Sequence, residues 1–194
     1  MKKIIMVIVL ILSFNLSLSA NYTEDIKNNF LKKMEEVVQI INKNEKTRNK
    51  DIVSLITPMF DFKLMSKLSI GKKWKKLLKD ERESFTIAYV QRMKNIYSSK
   101  LDEYENQIVL VKEIKIPKKN RVFLVTDIKN KKNNFEIIYK YYKPKKQLKN
   151  KNEWLIYDVE IEGVSILKTD KMQFRDFLSR NSFQDLIDNI KDKE

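Results

Sequence analysis

The apolar residues of this 194-residue chain change their period near Asn106, and that change limits the fold more than any other feature. Before it they recur every three to four residues; after it they alternate or run in short blocks. A first helix is expected over 24–42, where Ile26, Phe30, Met34, Val37, Val38 and Ile41 share one face. DIVSLITPMF (51–60) reads as a helix disturbed near Pro58, and Gly71 in FDFKLMSKLSIGKKW (60–74) marks a turn or a helix end. The clearest helix begins at Asp80, with Glu83 spaced for a capping box. It carries one stripe: Phe85, Tyr89, Met93, Ile96, Tyr97, Leu101 and Tyr104. Beyond Asn106, the segments 107–116, 121–129, 134–143 and 153–163 are β-rich and bounded by Lys/Asn/Pro turn signals. In the last, Leu155, Tyr157, Val159 and Ile161 fall on one face, and Trp154, Ile156, Asp158 and Glu160 on the other. Helical spacing returns at 166–178 and 183–190. Short connections between strands favour an antiparallel meander. The expected class is α+β, a curved antiparallel sheet of four to five strands packed against several helices.

The first twenty residues stand apart. Lys2 and Lys3 precede the apolar run Ile4 to Leu12, and small residues follow in SLSA at 17–20. This is the pattern of a secretory signal cleaved near Ser19 or Ala20, although Leu18 fits the cleavage pattern poorly. The apolar run is short for a membrane span of ~20 residues. An exported, soluble domain over 21–194 is therefore expected. With no cysteine, neither a lipid-modified N-terminus nor a disulfide is available, so that domain depends on its hydrophobic core.

The absence of histidine removes the usual general base and the commonest metal ligand. Triads, cysteine nucleophiles and His/Cys zinc sites are all excluded. The formal charge of +14 invites a nucleic-acid reading, but only six of the forty basic residues are arginine. The joint abundance of Lys, Asn and Ile is the mark of an AT-rich genome, and no nucleic-acid partner is expected. The lysines around Trp74 (Lys72, Lys73, Lys75, Lys76) and around Pro144 (Lys143, Lys145, Lys146) read first as solvated surface, and second as a face for anionic headgroups or an acidic partner.

Gly163, one of only two glycines, lies between the last strand and a helix for which Ser165 is a natural N-cap. Turn geometry alone explains it. Its surroundings are more specific. WLIYDVEIEGVSIL (154–167) resembles the W-x-x-Y-D-V-x-I-x-G-V-S-L segment of the MlaC family, also called the toluene-tolerance auxiliary family. FDFKLMSKLSIGKKWKKL (60–77), the helix and strand start at 80–109, and Gln173-Phe174 agree with the same family in order and spacing. The likeness spans roughly 25–190. Lys67 stands where arginine is usual, Ile70 replaces leucine, and the run Thr169–Phe174 lacks the family's tyrosine before Q-F.

The family's members are periplasmic phospholipid-binding proteins of Gram-negative bacteria. The resemblance thus implies a monomeric carrier whose cargo is a phospholipid, with no other cofactor. It would shuttle lipid between an outer-membrane MlaA-type lipoprotein with its porin and the MlaD-type ring of an inner-membrane ABC transporter, maintaining outer-membrane lipid asymmetry. Hiding about thirty methylenes from water, at ~0.8 kcal/mol each, is worth on the order of 20 kcal/mol. The expected cavity is apolar with a few polar groups. Its candidate walls are Phe85, Tyr89, Met93 and Tyr97 on the long helix, and Tyr139, Tyr157, Val159 and Ile161 on the sheet. Phe62, Met65 and Trp74 supply another side, and Val164 and Phe174 a floor. Any of these also serves as plain core.

Asp61 and Asp158 read as capping or packing partners, not as acids and bases. Gly163-Val164-Ser165 is half of a nucleophile elbow, but Leu167 and the lack of histidine argue against an esterase. A chaperone or adaptor holding an apolar peptide in the same groove is the alternative from another class.

Overall fold

A computed structural model describes the backbone at 2–43, 47–102, 108–129 and 134–192, with side chains at 21–43, 47–96, 108–129 and 134–192. Among the described residues six helices, α1 (Lys2–Lys43), α2 (Arg48–Ile56), α3 (Phe62–Ile70), α4 (Lys79–Asp102), α5 (Ile166–Phe177) and α6 (Phe183–Asp192), accompany one sheet. Its strands are β1 (Ile108–Lys118), β2 (Arg121–Lys129), β3 (Asn134–Tyr142), β4 (Leu155–Ile161) and β5 (Val164–Ser165). They pair in sequence order, each antiparallel to the next, so the α+β class and the meander both stand.

Local chemistry explains most element ends. Asp61 caps α3 by accepting from the Leu64 N–H at 2.9 Å, and Gly71 closes the helix at φ +61°. Pro58 falls in a 3₁₀ turn, Thr57–Met59, that ends α2. The start of α4 is one notch earlier than the sequence suggests. Leu78 precedes the helix, and Glu81, not Glu83, reaches back to its N–H at 2.7 Å. At the β4–β5 reversal Gly163 takes φ +78° and Glu162 takes φ +48°. Ser165 then caps α5, its Oγ accepting from the Lys168 N–H at 3.0 Å.

The expected two faces of β4 are also corrected. Opposite β4, Lys140 pairs with Asp158 but Tyr141 pairs with Ile156, which leaves Tyr157 as an extra residue. Such a bulge shifts the alternation by one position. Val159 therefore joins Ile156 in the main core instead of sharing a face with Leu155 and Tyr157. Lys112 is a second extra residue, on β1, held by Asp127 and Glu136 of the neighbouring strands.

Candidate functional site

Most of the candidate residues share one hydrophobic core, on its helical side and on its sheet side. Phe62, Met65, Phe85, Tyr89, Met93 and Phe174 are all buried; Phe62 stacks on Phe60, which bridges to Ile156 of β4, while the rings of Phe85, Tyr89 and Phe174 meet one another. Phe85 meets Phe174 edge-on at 5.8 Å and Phe183 of α6 at 5.5 Å, and α4 packs on α2, α3 and α6. This helical knot is sealed by a polar contact. The Tyr89 hydroxyl donates to Asp170 at 2.7 Å, and the Arg92 guanidinium pairs with Asp170 at 3.1 Å. Burial pushes the Asp170 carboxyl above its ordinary value, while Arg92 and Tyr89 pull it back. Asp170 thus anchors the start of α5, where this chain lacks the family's tyrosine.

The second group lies on the sheet. Cross-strand pairing places Leu124, Tyr139 and Val159 in one row on the inner face, with Val122, Tyr141 and Ile156 in the next. Helix α1 covers these rows: its Phe30 lies 4.6 Å from the Tyr139 ring, and Val37 is buried further along. Tyr139 and Val159 are brought together as expected. Tyr157 is not among them, because the bulge leaves it beside Tyr142, where Arg121 lies 5.1 Å above its ring. Ile161 pairs with Ile137 but is 39% exposed at the strand end. Val164 is 60% exposed and forms no floor, since the short β5 turns it outward before α5 begins. Trp74 is half-buried under Arg82, whose guanidinium lies 5.8 Å from its ring. The Tyr97 side chain lies outside the described residues.

Sequence reasoning missed the residues around a cavity of about 70 Å³ between α1 and the β3–β4 end of the sheet. Tyr22, Asp25, Ile26, Asn29 and Phe30 line it from α1, and Met59, Tyr141, Asn152, Glu153 and Trp154 from the opposite side. Tyr22 stacks on Trp154 at 5.2 Å. The Tyr141 hydroxyl and the Trp154 Nε1 are buried and have no hydrogen-bond partner. Burial pushes the Tyr141 hydroxyl far above the usual phenol range. Tyr22 and Trp154 were legible only as isolated aromatics, because nothing local shows that the middle of α1 meets the chain just before β4.

On the other face of β3 and β4 lies a fully engaged polar clamp. Asp158 accepts from Lys140 Nζ at 3.0 Å, from Ser165 Oγ at 2.8 Å and from the Leu167 N–H at 3.1 Å. Lys140 also donates to Glu160 at 2.6 Å. Burial opposes the Lys140 charge, yet bonds to Glu160 and Asp158 outweigh it and hold its pKa above the ordinary lysine value. A neighbouring contact joins the Tyr142 hydroxyl to Asp61. The Y-D-V and G-V-S parts of the sequence are thus two sides of one junction, binding β4 to α5. Among the described residues no group of three or more acidic side chains is poised to hold a metal ion.

The fold is similar to that of a phospholipid-binding protein from Ralstonia solanacearum, solved in complex with a phospholipid. The two share 20% identity at a TM-score of 0.71, over 85% of this chain and 94% of that one. No curated protein matches the chain. The profile of the MlaC protein family matches residues 24–192, which takes in every strand and the polar clamp. The chain belongs to the MlaC family.

Proposed function

We propose that this protein is an exported phospholipid carrier that moves glycerophospholipid through the periplasm between the outer and inner membranes. Its net transport maintains outer-membrane lipid asymmetry. It loads and unloads at an MlaA-type lipoprotein with its porin and at an MlaD-type ring of an ABC transporter. Membership of the MlaC family across 24–192 carries this reading, and the shared fold with a protein solved around a phospholipid supports it.

The chemistry of the inner face suits the task. A ligand pocket is typically about 300–1,000 Å³, against about 70 Å³ for the cavity under Tyr22 and Trp154. A cavity of that size holds no acyl chain, so binding needs a wider space along the apolar core. The contacts there, such as Phe30 on Tyr139, are non-directional, so chains of similar polarity replace them at little net loss. A bilayer shelters the same chains equally well, so transfer is close to balanced once a partner has docked. Ser165 is engaged on both sides, donating to Asp158 and accepting from Lys168, which favours binding over nucleophilic chemistry.

Native mass spectrometry of the protein purified from periplasm without detergent tests the proposal. An added mass matching an intact diacyl phospholipid is expected. A bare polypeptide mass that stays bare after incubation with liposomes overturns the carrier reading in favour of a peptide-binding chaperone or adaptor. Lysolipid or fatty acid alone would instead indicate an esterase.

A further inference from the structure

We propose that the turn Gly71–Lys76, with the exposed leucine that follows it, is a docking face for the surface of a bilayer containing anionic lipid. The inference goes beyond the carrier reading, because docking at a surface needs no cargo. Residues 62–79 hold seven lysines and no carboxylate. Within them, Gly71–Lys76 is a 3₁₀ helix, in which side chains three residues apart lie above one another. Gly71, Trp74 and Leu77 share the inward side and are half-buried. Lys72 with Lys75, and Lys73 with Lys76, form two exposed rows on the outward side. Like charges so stacked repel each other. Lys112 and Lys140 on the sheet are ion-paired, but among the described residues none of these seven lysines is. The carboxylates that follow, Asp80 and Glu81, lie in the first turn of α4, where the helix dipole favours them.

The rows are held in place from behind. Arg82 of α4 donates from Nε to the Trp74 carbonyl at 3.0 Å and from Nη2 to the Lys75 carbonyl at 3.1 Å. Lys73 Nζ reaches the Leu178 carbonyl at 3.1 Å, and Lys171 of α5 lies against Gly71, adding a further cation beside the turn. Leu78 comes next and is 71% exposed, with its N–H fixed by Glu81.

Two features favour a bilayer over an acidic protein. Residues 62–79 contain no arginine, whose planar fork suits carboxylates on a protein; lysine ammoniums are compact point charges that suit a dense field of anionic groups. Clusters of about four to eight basic residues are attracted to such membrane surfaces, each lysine near the surface adding roughly fivefold to partitioning. An exposed leucine beside them enters the boundary between head groups and acyl chains, as interfacial anchors do.

Protein purified from periplasm is floated with phosphatidylcholine vesicles, with or without phosphatidylglycerol. Wild type is expected to float only with the phosphatidylglycerol vesicles, and less so as salt rises. Replacing Lys72, Lys73, Lys75 and Lys76 together by Gln lowers partitioning at least about tenfold. The same charge change at Lys118, Lys119, Lys145 and Lys146, all exposed, lowers it less than about threefold. Leu78→Ser, which leaves the charge intact, lowers it about fivefold. Equal losses from the two quadruple variants overturn the face and leave net charge as the cause. Wild type that stays off the vesicles but is retained by a carboxylate-coated support gives the face to an acidic protein, and wild type held by neither leaves it as solvated surface. Bound cargo is read separately by native mass spectrometry, so the docking face and the carrier reading fail independently.

Discussion

The inner seam under α1 and the junction between β4 and α5 use opposite faces of β3 and β4 and are built on opposite principles. At the junction, Asp158 is buried, and both its carboxylate oxygens are engaged by named donors on β3, β5 and α5. At the seam, Phe30, Tyr139, Tyr22 and Trp154 meet through ring faces, and two polar atoms have no partner. Directional bonds inside a low-dielectric core fix one geometry, since breaking them exposes buried charge. Ring contacts tolerate sliding and replacement by another apolar surface. A domain that must admit cargo without losing its fold can give way at the seam only if the junction holds.

That contrast can be broken most sharply by Asp158→Ala, which strands Lys140 and removes the anchor of α5 at once. A loss of about 3 kcal/mol or more is expected, seen in calorimetry as a fall in melting temperature of roughly 6–12 °C for a domain this size. A fall of only a degree or two would mean that the junction is no firmer than the seam.

Gly163→Ala tests the turn that brings Ser165 to Asp158. Nothing lies within 4 Å of the added Cβ, so only the strain at φ +78° is at stake. About 1 kcal/mol is expected, measured by urea unfolding with an unchanged slope.

Phe30→Leu sharpens the other side. It keeps most of the volume, so the fold should lose about 1 kcal/mol, while lipid occupancy by native mass spectrometry changes several-fold. Equal, small effects on both would place the chains elsewhere.

Alkaline unfolding compares the two regions in one titration. Burial raises Tyr139 and Tyr141 above 10.0, so the unfolded chain ionises there while the folded chain stays protonated. Lys140, held above 10.5 by Glu160 and Asp158 against its burial, keeps its proton in the folded state after the unfolded chain has lost its own. In both cases the folded state binds more protons, so stability is complete below about pH 10 and falls as pH rises. Chemical unfolding at pH 8 to 11 should show that decline, and Tyr141→Phe should make it shallower. The smallest effect belongs to Ile87→Ser, at a position 64% exposed and far from either region, with a change within about 0.5 kcal/mol.

Four strands were legible because alternation and turn residues are local properties, and the caps Asp61 and Ser165 were legible because capping needs only a neighbour three residues on. The start of α4 was placed wrongly at Asp80 because Asp80 and Glu83 offer the same capping spacing that Leu78 and Glu81 use. Of the candidate site, Tyr139 and Val159 were named separately from the sequence, and the strand register makes them direct neighbours. Ile161 keeps the face it shares with Val159 but lies at the strand end, whereas the bulge takes Tyr157 off that face and Val164 is turned outward. The bulge is set by the register of β4 against β3, which no short window of sequence contains, while β5 is a two-residue turn-back onto the end of β4.

The sequence by itself determined the class of this protein: helices before Asn106, a meander after it, no histidine or cysteine chemistry, and a motif that names its family. Those properties follow from residue types and spacings along one chain. Only the tertiary structure decided which aromatics meet. It gave Phe85, Tyr89 and Phe174 to a closed helical knot, and set Phe30 on Tyr139 and Tyr22 on Trp154 beside a cavity. Apolar burial is indifferent to which ring covers which, so the pairing is settled by packing and chain path, and by nothing written locally in the residues themselves.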